Sequence, residues 1–124
     1  MTNIYSFQIV TDAKQELYDK VSSILNLKPK IHQNKKFNNY NAWEYEVIVD
    51  ENDKYYDFIN EFLDILEPKF KMLEEIGIKR SEITFCYLYE YDNQCNMEFS
   101  PKLTKRIGEN QITLCISCWD SGKH

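Results

Sequence analysis

Two cysteines near the end of the chain, Cys115 and Cys118, have the C-x-x-C spacing of zinc and redox sites, within QITLCISCWD. Zinc requires four converging ligands, and a redox pair normally sits at a helix N-terminus, where the thiolate is stabilised. The neighbouring residues are β-forming, and in a strand side chains three positions apart point to opposite faces. We therefore predict that both cysteines are small packing residues on opposite faces of a strand, with no metal bound.

Other catalytic motifs are not found in the sequence. His32 lies in a polar, Asn-rich segment and His124 is at the end of the sequence given, and there is no G-x-S-x-G, H-E-x-x-H or Gly-rich phosphate-binding pattern. We expect a protein that is not an enzyme and has no catalytic residues, metal or cofactor. A carboxylate-based enzyme is the less favoured alternative.

Charge is distributed unevenly along the chain. The formal net charge is −5, which argues against a nucleic-acid partner, because such proteins carry a basic footprint. Nine acids lie between Glu44 and Glu67 with Lys54 as the single opposing base, while lysines without acids occupy residues 28–36. This separation predicts an acidic surface that suits a basic partner.

Length and composition are typical of one domain over residues 1–124. There is no apolar run of about 18 residues and no basic segment at the start, so we expect neither a membrane span nor a secretory signal. Four cysteines are too few for a disulfide framework in a chain of this length, which favours a cytoplasmic location.

Hydrophobic periodicity predicts four strands that alternate with helices. The expected strands lie at Tyr5–Ile9, Trp43–Val49, Ile83–Tyr91 and Ile112–Trp119, and Trp43 should be buried. The first expected helix is capped by Asp12 and Gln15 and closed by Pro29. A long helix is expected over Asp53–Ile76, with a break near Leu66 because of Pro68 and an end at Gly77. A short helix is expected from Ser100-Pro101 to Gly108. This order predicts an α+β fold: a two-layer α/β sandwich with a mainly antiparallel four-stranded sheet, helices on one face and a ferredoxin-like strand order.

One face of the long helix carries the residues that we predict to bind a partner. At 100° per residue the acids fall within an arc of about 120° opposite the apolar stripe. The simple interpretation is a solvated helix face, although like charges four residues apart then repel without compensation. The functional interpretation is a surface that steers a basic protein, with Tyr56 and Leu63 beside it as apolar anchors. The predicted partner-binding residues are Asp53, Tyr56, Asp57, Glu61, Asp64 and Glu67.

Short motifs over most of the chain resemble a family of small bacterial domains of unknown function. The segments are FQIV, ILNLKP, AWEYEV, KFKMLEEIGI and MEFSPKLTKRIGENQITLCISCWD. ILNLKP corresponds to an LGI-x-P element, with Asn26 where glycine is usual. The resemblance implies an immunity protein that binds and neutralises a cognate secreted toxin in the producer's cytosol. Nucleases are one class of such toxins, and an acidic inhibitor can occupy their basic active sites. The alternative is a structural or self-associating binding module of unknown ligand.

Overall fold

Strands and short helices alternate along the computed structural model, which describes residues 2–30, 39–50, 56–91 and 96–122. Short 3-10 turns cover Glu67–Lys69 and Arg80–Glu82. The elements are β1 (Thr2–Val10), α1 (Gln15–Leu25), β2 (Ala42–Asp50), α2 (Phe58–Leu66), α3 (Phe70–Glu75), β3 (Ile83–Tyr91), α4 (Pro101–Glu109) and β4 (Thr113–Asp120).

The strands form one sheet in the order β2-β1-β3-β4. β1 is antiparallel to both of its neighbours, with Tyr5 opposite Val47 and Tyr87, and β4 is parallel to β3. The α+β class and the mainly antiparallel four-stranded sheet are therefore confirmed. The strand order differs from the predicted ferredoxin-like one at β4. A ferredoxin-like sheet places the fourth strand beside the first, whereas here β4 lies beside β3. The connection from β3 to β4, which contains α4, has the length that a parallel crossover requires, so β4 can lie parallel to β3.

The helices cover the face of the sheet that carries the odd-numbered residues of β1 and β3. Phe62 of α2 packs with its ring edge-on against Phe7 and Phe85, with centroids 5.1 and 5.4 Å away, and all three side chains are fully buried. Trp43 is also fully buried, as predicted, and its indole N–H donates a 2.8 Å hydrogen bond to Ser22 Oγ of α1. These contacts attach α1 and α2 to the sheet.

Local signals set several helix ends where the sequence predicts them. α2 ends at Leu66, and Pro68 lies in the 3-10 turn before α3. Gly77 has a φ of 94°, and its N–H donates to the carbonyl of Glu74 at 3.0 Å, which closes α3 in the way that favours glycine. Ser100 Oγ accepts from the N–H of Leu103 at 3.3 Å and caps α4.

Other predicted ends are wrong. Asp12 does not cap α1: Lys14 is the N-cap residue and has no side-chain cap bond, while Asp12 has a φ of 52° in the turn after β1. α1 ends at Leu25, before Pro29, because Asn26 adopts a left-handed φ of 53°. Asparagine tolerates that conformation, which explains how it can replace the glycine of the LGI-x-P element. α4 runs through Gly108 to Glu109.

Candidate functional site

The outer side of α2 carries the predicted acidic residues that the structure describes. Glu61 and Asp64 are exposed on the helix, and Glu67 follows in the 3-10 turn with 40% of its side chain exposed. Asp53 lies outside the described residues. We call the four carboxylates of Asp57, Glu61, Asp64 and Glu67 the acidic edge.

Asp57 has a structural role at the start of α2 rather than a place on its face. The helix begins at Phe58, not at Asp53 as predicted, and Asp57 is its N-cap residue. One Asp57 carboxylate oxygen accepts from the backbone N–H of Asn60 at 3.5 Å and the other accepts from Asn60 Nδ2 at 2.7 Å. Because Asp57 is at the N-terminus of the helix, its negative charge interacts favourably with the helix dipole.

Arg106 of α4 compensates part of the acidic edge, which the sequence does not predict. Its Nη2 lies 2.8 Å from Asp64 Oδ1, its Nε donates to Glu67 Oε1 at 3.2 Å, and its Nη1 donates to Asn60 Oδ1 at 2.6 Å. The hydrogen bond from Arg106 is the main reason that the pKa of Glu67 is lowered. Asp64 and Glu67 therefore have a cationic partner on α4, which the sequence pattern of the long helix does not reveal.

The two predicted apolar anchors belong to the core. Leu63 is fully buried, so the prediction that it flanks the surface is wrong. Tyr56 is half-buried: its ring centroid lies 5.2 Å from that of Tyr5 and 6.1 Å from that of Phe62, and burial is the main cause of its raised pKa. Leu63 belongs to the apolar stripe of α2, whereas Tyr56 precedes the helix and is only partly accessible to a partner.

The opposite face of the sheet bears no described helix and presents an ordered array of polar and apolar side chains. Strand pairing places residues of four strands in rows across this open face. Alternation along the strands fixes which side chains share the face, and pairing fixes which are neighbours. The rows are Ile48, Ile4, Leu88 and Ser117; Glu46, Ser6, Cys86 and Cys115; and Glu44, Gln8, Thr84 and Thr113.

A cavity of about 230 Å³ opens on this face, and we call it the sheet cleft. Glu44 and Glu46 of β2 line it with only 13% and 16% of their side chains exposed. Lys30 Nζ lies 2.8 Å from Glu46 Oε2 and 3.9 Å from Glu44 Oε1, and Gln8 Nε2 donates to Glu44 Oε2 at 3.0 Å. The hydrogen bond to Glu46 is the main reason that the pKa of Lys30 is raised.

Cys115 and Cys118 lie in β4, on opposite faces of the strand as predicted, but both side chains are exposed because β4 is an edge strand of the sheet, so the prediction that they are packing residues is wrong. Cys115 is paired with Cys86 on the open face, and Cys118 is paired with Tyr89 on the other face, so the two members of the C-x-x-C pair point in opposite directions. Burial raises the pKa of Cys86 to about 11. Among residues 2–30, 39–50, 56–91 and 96–122, no group of three or more His, Cys, Asp or Glu is placed to hold a metal ion.

The part of the chain that the structure describes has no helix with the length and apolar character needed to cross a membrane. In comparison with known families, the model described as "Domain of unknown function (DUF4279)" matches residues 3–121. No curated protein and no solved structure matches the sequence.

Proposed function

The chain belongs to DUF4279, a family of domains of unknown function, and from that premise we propose that it is an immunity protein that binds and neutralises a cognate secreted toxin in the cytosol. The resemblance described above implies this function. The observation that supports it most directly is the acidic edge, which places the exposed carboxylates of Glu61 and Asp64 on a helix. The protein acts by binding and not as an enzyme.

The acidic edge is pre-organised. Asp57 fixes the start of α2, and Arg106 holds Asn60, Asp64 and Glu67 against α4. Side chains and backbone that are ordered before binding lose less conformational entropy when a complex forms. A surface of this kind suits a tight inhibitor because little of it must rearrange.

The acidic edge also keeps an excess of negative charge. Arg106 pairs with only two of the edge's four carboxylates, and Glu61 has no ion pair among the described residues, while Lys102 and Lys105 of α4 line a cavity next to Asn60 and Arg106. Such an excess attracts a positively charged active site, as in a toxin that binds phosphates, and accelerates association. Glu61 is therefore the residue whose charge should matter most for the association rate.

The test compares two charge reversals on exposed helical residues. The neighbouring gene is first examined for a secreted toxin, and the purified pair is studied by stopped-flow kinetics and by protection of cells that express the toxin. Glu61→Lys should slow association by about tenfold at low salt, while the matched control Glu75→Lys should stay within about twofold. Equal association rates for the two variants, with full protection by Glu61→Lys, would contradict a role for the acidic edge.

A second candidate function is self-association through the open face of the sheet. Ile48 and Trp119 are large apolar residues on this face, with 60% and 52% of their surface exposed. Light scattering on the protein alone decides between the candidates: a stable assembly that Trp119→Ser disrupts favours self-association, and a monomer that binds the toxin favours the immunity function.

A further inference from the structure

The geometry points to the sheet cleft as a binding site for a basic side chain, an arginine, presented by a partner protein. The partner's identity as a toxin rests on the proposed function, whereas the site itself rests on the cleft. It lies on the face of the sheet that is opposite α2, so it is separate from the acidic edge.

Among the residues that the structure describes, the two carboxylates of the cleft are held in place and have unused capacity to accept hydrogen bonds. Gln8 and Lys30 hold Glu44, and Lys30 holds Glu46. A carboxylate can accept about four hydrogen bonds. The contacts from Gln8 and Lys30 therefore use fewer than half of the acceptor sites of Glu44 and Glu46 together. Because both side chains are largely shielded from water, their attraction for a cation is stronger than that of exposed carboxylates. With Lys30 included, the cleft keeps a net charge of −1, so it favours a cationic ligand.

Ser6 provides an independent sign of a ligand. Only 5% of its surface is exposed, and its hydroxyl has no hydrogen-bond partner among the described residues. No side-chain oxygen or nitrogen in that part of the chain is both sealed from solvent and unpartnered, so Ser6 Oγ must open onto the cleft that it lines. Ser6 lies between Glu46 and Cys86 in the row across the sheet, so its accessible Oγ can accept a hydrogen bond from an N–H group bound in the cleft.

The size and the walls of the cleft suit one long basic side chain. Its volume of about 230 Å³ lies below the roughly 300–1,000 Å³ of pockets for small-molecule ligands. Ile4 and Leu88 form an apolar wall that can pack against an aliphatic stem, while the two carboxylates can receive the charged end. A guanidinium fits better than an ammonium because its planar array of donors can bond two carboxylates at once.

Lys30 already places a cation at this position. It follows α1 in an irregular segment, its side chain is 41% exposed, and its backbone N–H donates to the carbonyl of Glu44 at 2.7 Å. The side chain can therefore leave the cleft while the backbone stays attached to β2. A guest arginine replaces the Lys30 ammonium, and removal of that ammonium should strengthen binding of the guest.

The test uses the full chain labelled with ¹⁵N and titrated with N-acetyl-arginine methylamide, a probe with a single positive charge. The amide signals of Ser6, Glu46 and Cys86 should shift in a saturable way, with millimolar affinity. The uncharged N-acetyl-glutamine methylamide is the matched control compound and should give no saturable shift.

Three variants make the test specific. Glu46→Gln should weaken probe binding at least fivefold, and Lys30→Met should strengthen it by about threefold to tenfold, as expected for removal of a competing ion pair. Glu61→Gln removes one negative charge from the acidic edge and should leave probe binding unchanged. Unchanged thermal unfolding midpoints confirm that the variants are folded, and Lys30→Gln replaces Lys30→Met if the latter does not fold.

The inference is overturned if the glutamine compound shifts the same signals, if the shifts are confined to α2, or if Glu46→Gln binds the probe like the wild type. These outcomes are independent of the proposed function. If the protein binds the probe in the cleft but binds no toxin, the cleft site is supported and the proposed toxin partner is refuted. If toxin binding depends on Glu61 but the probe does not bind in the cleft, the proposed function is supported and the cleft site is refuted.

Discussion

Replacing Arg106 by methionine tests how α4 is joined to the acidic edge. Methionine keeps most of the aliphatic stem of Arg106 and removes its hydrogen bonds to Asn60, Asp64 and Glu67. We expect the free energy of unfolding to fall by about 2 kcal/mol at pH 7. The Asn60 bond of 2.6 Å should contribute about 1 kcal/mol of this, as an ordinary hydrogen bond does. Each ion pair should add only about 0.5 kcal/mol, because the Asp64 and Glu67 side chains are 68% and 40% exposed.

The loss should also depend on pH. Arg106 lowers the pKa of Glu67 in the folded protein, so this interaction stabilises the fold above the ordinary glutamate pKa of about 4.3. The stabilisation disappears as the pH falls through the lower folded-state pKa. The difference between wild type and Arg106→Met should therefore be largest near neutral pH and shrink below about pH 4.

Urea denaturation followed by circular dichroism measures both effects. Lys105→Met is the matched control: it removes a positive charge from the same helix, and its partner Glu109 is 3.8 Å away with both side chains well exposed, so we expect a loss below about 0.5 kcal/mol. Equal losses for the two variants, or the same loss at pH 3 and pH 7, would refute the role given to Arg106. If the proposed function is correct, Arg106→Met should also bind a basic toxin faster, since the acidic edge is then more negative.

Three further predictions follow from buried or capping residues. Trp43→Ala should lower the free energy of unfolding by about 3–5 kcal/mol, because the side chain is fully buried, and a wild-type urea midpoint would show that its packing is unimportant. Asp57→Ala should cost about 1 kcal/mol in the same assay through loss of the N-cap of α2, whereas the control Glu61→Ala should change stability by less than about 0.5 kcal/mol. At pH 8 the thiolate fraction of Cys86, with its pKa of about 11, is on the order of one in a thousand. Site-resolved mass spectrometry should therefore show slow alkylation of Cys86 by iodoacetamide in the folded protein and fast alkylation in urea, and equal rates in the two states would contradict the effect of burial.

Local patterns were sufficient to predict most elements of the fold. Alternation gives the bounds of β3 as Ile83–Tyr91, and the break after Leu66 follows from the ring of Pro68, which cannot continue the hydrogen bonding of the helix. These signals are carried by residues near each other in the chain, so they can be interpreted without tertiary structure. The predicted start of α2 is too early because the acidic pattern continues upstream of Asp57. In the structure Asp57 is the N-cap residue, so the helix begins after it, at Phe58.

The candidate sites depend on contacts between distant residues. Arg106 is 42 positions from Asp64, and nothing in the sequence of α4 specifies that partner. The sheet cleft combines Ser6, Glu46 and Cys86, which become neighbours only through the strand order and register. The alternation of β2 does place Glu44 and Glu46 on one face, but a strand pattern does not show which residues lie beside them.

The central position of β1 has a consequence for the order in which the protein can fold. Ile4 pairs with Ile48 on one side and with Leu88 on the other, so the earliest strand of the domain needs partners about 44 and 84 residues later. Pairing over such separations slows folding, because long loops must close before the contacts form. While the chain is being synthesised, one edge of β1 stays unpaired until β3 has emerged, and its side chains Tyr5 and Phe7 lack their contacts with Tyr87 and Phe85. Incomplete chains that end before β3 should therefore be the species most prone to aggregation.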